Sequence, residues 1–101
     1  MPSIEKKTEA RVPTQNASGY LRQLCRHWSH RFPVEFDDHH GRIELQGSIC
    51  ILKATNTELY VQLEIGEGAD PDRMETVLAE HLQRFGFRET LVFDWKCSWQ
   101  A

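Results

Sequence analysis

Apolar residues recur along this chain at two spacings, and the change from one to the other marks out its elements. Thr8, Ala10 and Val12 alternate with Glu9 and Arg11, which predicts a short half-buried strand ended by Pro13. Leu21, Leu24, Cys25 and Trp28 then follow i, i+3, i+4 and i+7, with Tyr20 at the margin. That stripe predicts a helix over 17–30, with Asn16 as its N-cap. Pro33 disfavours helical backbone at Phe32, so the helix must stop before it.

Period two returns in Val34 and Phe36, and again in Ile43 and Leu45 after a turn at 38–41, where Gly41 is expected to take a positive φ. Gly47 breaks the pattern. A strand over 48–55 has Cys50, Leu52 and Ala54 on its core side and Ile49, Ile51 and Lys53 on the other, leaving two β-branched residues exposed. Leu59, Val61, Leu63 and Ile65 alternate without a fault. Asp70 as cap and Pro71 at the first position start a second helix. Its stripe is Met74, Val77, Leu78, His81, Leu82 and Phe85, and Gly86 suits the position just past its end. Leu91, Phe93 and Trp95 alternate in a final strand or extended tail.

The order is therefore β-α-β-β-β-β-α with a C-terminal extended segment. Antiparallel strands with one apolar face need a cover, and two amphipathic helices supply it. We expect an α+β two-layer sandwich, an antiparallel sheet of four to five strands with two helices on one face. Residues 1–7 are expected to form a disordered tail and 8–101 a single domain. This order resembles the TBP-like arrangement, which hosts unrelated functions.

Charge and composition narrow the function classes. The formal charge is −3, from 15 acidic and 12 basic residues. That balance argues against a general nucleic-acid binder, which shows a basic face. Protonation of the five histidines would reverse its sign in mild acid. The first eleven residues carry no apolar signal-peptide core, and no apolar run approaches the ~20 residues of a membrane span. Three widely spaced cysteines with no CxxC suggest reduced thiols, and we expect a cytoplasmic protein.

Candidate chemistry concentrates in LCRHWSHRFPVEFDDHHG, Leu24 to Gly41, which holds four of the five histidines. Asp37, His39 and His40 offer carboxylate and imidazole ligands for a divalent metal, although neighbours on an extended backbone point in alternate directions. His27 and His30, three apart on the first helix, are close enough to share a ligand. His81 sits on the apolar stripe of the second helix, where a histidine facing a cavity becomes a candidate site. Trp28 and Trp95, with Trp99 and Tyr60, can stack on a planar ligand, and core filling is the alternative for Trp28 and Trp95. Ile49, Ile51 and Tyr60 are expected to form an exposed apolar patch that favours a homodimer. No GxSxG, HExxH, P-loop or GxGxxG motif is present, and the cofactor is unknown.

The run ARVPTQNASGYLRQLCRHWSHRFPVEFDDHHGRIEL resembles the bacterial domain-of-unknown-function family 2218, and the later CILKA, HLQRFGFRE and FDWK fit the same family. The resemblance spans Ala10 to Lys96. Its motif positions here are His27, Trp28, Phe32, Pro33, Phe36, Asp37, Gly41, Phe93 and Trp95, and it supplies no catalytic residues. Some members carry an automated aldolase label, but a (β/α)8 barrel takes about 250 residues and 101 cannot build one. Members reported beside siderophore-interacting proteins imply a link to iron metabolism by association.

Three functional readings follow. The leading one is a small binding or accessory domain without catalytic activity, its ligand lying between helices and sheet or near the first-helix histidines. The second is a protein-interaction module that dimerises. The third is a small enzyme with His81 or His27 as general base.

Overall fold

The computed structural model describes residues 4–99. The elements are β1 (Ile4–Pro13), α1 (Ala17–Trp28), β2 (Val34–Phe36), β3 (His40–Leu45), β4 (Ser48–Ala54), β5 (Glu58–Gly66), α2 (Pro71–Phe85) and β6 (Lys96–Trp99). The strands form one antiparallel sheet in the order β2-β3-β4-β5-β1-β6. It has six strands rather than the expected four or five, with both helices covering one face.

The differences lie at the chain ends, where β1 is longer than expected and β6 is added. β1 starts at Ile4, inside the stretch expected to be a disordered tail, because Lys6 and Lys7 pair with β5 on one side and β6 on the other. Residues 1–3 of that expected tail lie outside the described residues. At the other end, Leu91, Phe93 and Trp95 alternate but form no strand. Pairing begins only at Lys96, where the chain comes alongside β1.

The strand periodicity places the core as expected. Ala10, Val12, Ile43, Cys50, Leu52, Ala54, Leu59, Val61, Leu63 and Ile65 are buried against Leu21, Leu24, Cys25 and Trp28 of α1 and Leu78 and Leu82 of α2. The buried polar side chains also have partners: Ser48 Oγ accepts from Gly66 N at 2.9 Å, and the Thr8 hydroxyl donates to Glu75 Oε2 at 2.5 Å. Among the described residues, no helix is long and apolar enough to cross a membrane.

Local details differ from expectation for physical reasons. α1 ends at Trp28, where Arg31 N and Phe32 N both donate to Trp28 O, so His30 and Arg31 sit in the turn after the helix. Asn16 makes no side-chain cap; the Thr14 hydroxyl accepts from Asn16 N instead, at 3.1 Å. Gly41 has no positive φ and is buried within β3. A Cβ there would lie 2.8 Å from Cys25 Sγ, so glycine is needed for the close approach of α1 to the sheet. Gly86 ends α2 at φ −97°, not in the left-handed region, and a Cβ on it would meet the Tyr20 hydroxyl at 2.8 Å. The α2 start is as read: Asp70 Oδ1 accepts from Asp72 N at 3.0 Å.

The other face of the sheet is not the expected exposed apolar patch. Ile49, Ile51 and Tyr60 are half-buried. Register puts Glu44 and Glu64 beside Ile49, and Arg42 and Gln62 beside Ile51, so methylene stems flank both isoleucines. Polar contacts run across this face: Arg42 pairs with Glu44 at 2.7 Å, Arg11 pairs with Glu58 at 2.7 Å and lies over the Tyr60 ring, and the Tyr60 hydroxyl donates to Glu9. Burial and then that carboxylate push the Tyr60 phenol up to about 12.

Candidate functional site

Both helices present an apolar stripe to the sheet, but they use theirs differently. On α1 the stripe is fully buried, from Ala17 through Trp28. On α2 only Leu78 and Leu82 are buried, while Met74, Val77, His81 and Phe85 are half-exposed. Of these, Met74, Val77 and His81 line a groove of about 630 Å³ between the end of α1, the first half of α2 and the sheet, and Phe85 lies outside it. Its apolar lining is Trp28, Phe32, Leu45, Leu63, Met74, Val77 and Leu78, and its polar lining is His27, His30, Arg31, Arg73 and His81.

The helix seam holds the rings in place. The His81 ring centroid lies 5.2 Å from that of Trp28 and 5.4 Å from that of His27, and His27 also meets Phe85 at 6.1 Å. Phe32 packs edge-on to Trp28 at 6.2 Å. His81 Nδ1 is 2.7 Å from Val77 O. A carbonyl only accepts, so Nδ1 carries a proton and the ring's second nitrogen, Nε2, is left to serve a ligand. Among the described residues, no serine, threonine, cysteine or carboxylate is in the lining beside His81.

Four of the sequence candidates, His27, Trp28, His30 and His81, are thus brought together in one groove. Trp95 is not. It stacks on Phe93, centroids 5.9 Å apart at 14°, packed against the core on the segment after α2. The Trp99 side chain lies outside the described residues. Arg31, Phe32, Leu45, Leu63, Arg73 and Met74 line the groove without having been singled out as ligand contacts. For Arg73 a signal existed: Arg73, Val77 and His81 follow i, i+4 and i+8 on α2.

The Asp37, His39 and His40 tip has a structural role of its own. Asp37 Oδ1 accepts from His39 N and His40 N, both at 2.8 Å, and these bonds hold its carboxyl below the usual carboxylate range. Ser18 Oγ donates to Asp38 O at 2.6 Å and Arg22 pairs with Asp38 at 3.5 Å, tying the tip to α1. His40 approaches Asp37 at 3.7 Å, whereas His39 lines a separate cleft with Gln15, Asn16 and Asn56. Among the described residues, no three histidine, cysteine or acidic side chains are grouped to hold one metal ion.

Comparison with known proteins agrees with this fold. The family described as "Uncharacterized protein conserved in bacteria (DUF2218)" matches residues 9–96. The NMR structure of PA4090 from Pseudomonas aeruginosa is similar at 33% identity, with 92% of this chain and 96% of that chain covered and a TM-score of 0.71. No curated protein matches the sequence. The chain belongs to the DUF2218 family of bacterial proteins.

Proposed function

We propose that this protein is a small-molecule-binding domain whose ligand lies in the groove between α1, α2 and the sheet. One observation carries the reading: three positions of the α2 stripe, Met74, Val77 and His81, are only partly covered by the protein's own core and line the groove. A cavity of about 630 Å³ falls within the range that holds drug-sized ligands, and an apolar lining with a few convergent polar groups is their usual setting. The iron association implied by the family resemblance draws no support from this groove, whose only imidazoles, His27, His30 and His81, are not grouped as a metal nest.

The test uses Nile red, a neutral apolar dye, so that charge plays no part. Saturable binding with enhanced emission is expected for the native protein. Val77→Trp, which fills the groove, should abolish it while leaving the circular dichroism spectrum unchanged. A folded native protein that leaves the dye in water removes the reading.

A further inference from the structure

The polar groups of the groove all have one sign. Arg31 and Arg73 are cationic, the remaining polar groups are the imidazoles of His27, His30 and His81, and among the described residues no aspartate or glutamate is in the lining. Composition does not explain this, because the chain carries more acidic than basic residues and a net charge of −3. Pairing does not neutralise it either. The ion pairs among the described residues engage Arg11, Arg22, His40 and Arg42, and neither groove arginine takes part.

The two arginines differ in what else could account for them. Arg31 follows the C-terminal end of α1, where a cation is favoured by the helix dipole. Arg73 lies in the first turn of α2, the end at which the dipole disfavours a cation. It does stand in the row that continues through Val77 to His81, and that row lines the groove.

Resting on the groove as the binding site, we propose that its ligand is an amphipathic carboxylate, with an apolar or aromatic body against Trp28, Phe32, Met74 and Val77 and its carboxylate at Arg31 and Arg73. A guanidinium presents paired N–H donors matched to the two carboxylate oxygens, and such charge-assisted bonds are about twice as strong as neutral ones. The exposed imidazoles of His27 and His30 line the same groove, and each offers an N–H donor. The wall accepts an acyl chain or an aromatic ring, because Leu63 and Val77 are aliphatic while Trp28 and Phe32 offer ring faces and edges.

The experiment compares two acids with their uncharged amides: decanoate with decanamide, and 1-naphthylacetate with 1-naphthylacetamide. Binding is followed at the Trp28 indole N–H by NMR on the full chain. The expected result is that at least one acid binds about ten-fold or more tighter than its amide. The preferred pair shows whether the body is acyl or aromatic. Arg73→Met and Arg31→Met keep the apolar stem and remove the charge, and together they should bring acid and amide to similar affinity. If both amides bind as well as their acids, the carboxylate assignment is overturned, and Nile red binding then still stands for the groove. An acid preference that survives both arginine substitutions also overturns it. If neither the dye nor any of the four compounds binds, the groove itself is not the site.

Discussion

At the scale of single residues, burial sets the chemistry of the cysteines. Cys25 and Cys50 are fully buried and Cys97 is exposed. Burial pushes the Cys25 thiol from an ordinary value near 9 up to about 11, and pushes Cys50 up as well. Native protein at pH 8 should therefore release one equivalent in an Ellman titration, from Cys97, and three after unfolding in guanidinium. The pH dependence has a definite sign. The folded state keeps the Cys25 proton that the unfolded chain gives up, so its contribution is intact below pH 9 and is lost as pH rises toward about 11. Denaturant midpoints should fall over that interval, by roughly 2 kcal/mol by pH 11 from this thiol alone. The phenol of Tyr20, raised by burial and then by its bond to Glu89, acts in the same direction above pH 10. A second residue-scale test concerns Gly41, whose missing Cβ makes room for Cys25 Sγ at 2.8 Å. Gly41→Ala should cost roughly 1–3 kcal/mol through overpacking. In a double-mutant cycle, Cys25→Ala should relieve part of that cost, because the colliding sulfur is gone.

At the scale of elements, the segment after α2 shows how side chains can hold a stretch that no strand pairs. Gln83 Nε2 donates to Gly86 O at 3.0 Å and to Glu89 O at 2.8 Å, while its Oε1 accepts from Leu91 N at 2.8 Å. Glu89 in turn accepts from the Tyr20 hydroxyl at 2.5 Å and the Thr14 hydroxyl at 3.0 Å. Gln83→Leu keeps the bulk and removes all three backbone bonds. It should destabilise the protein by roughly 1–3 kcal/mol and speed hydrogen exchange at the Leu91 amide. This network is also why the alternation of Leu91, Phe93 and Trp95 misleads as a strand signal. Period two records which side chains face inward, and here it reflects Leu91 in the core and the Phe93–Trp95 stack without a neighbouring strand. The faultless alternation of β5 and the two helical stripes were legible because each is satisfied by local geometry. The close approaches at Gly41 and Gly86 were not, since they depend on what packs opposite.

At the scale of the molecule, the groove exists only where α1 and α2 meet over the sheet. His27, His30 and His81 stood out in the sequence as histidines on or beside apolar stripes, yet nothing local says that residues 54 positions apart, His27 and His81, have rings 5.4 Å from each other. Arg31 and Arg73 were harder still, because a lone surface arginine is unremarkable until its partners prove to be a groove without acids. Trp95 was drawn in because an aromatic residue advertises area but no direction. Strand order was hidden for a related reason: the β2-β3-β4-β5 run follows the chain, while β1 takes its place between β5 and β6.

That placement of β1 bears on how the protein is made. Within the described residues β1 precedes every other strand, yet its partners, residues 58–66 and 96–99, lie far along the chain, one before α2 and one after it. The meander and α1 can assemble as they emerge, but β1 keeps both edges unpaired until β5 has been made, and one edge until β6 follows. Its lysines, Lys6 and Lys7, and the glutamate and arginine that follow suit that interval, because charge on a waiting edge discourages pairing with a neighbouring nascent chain.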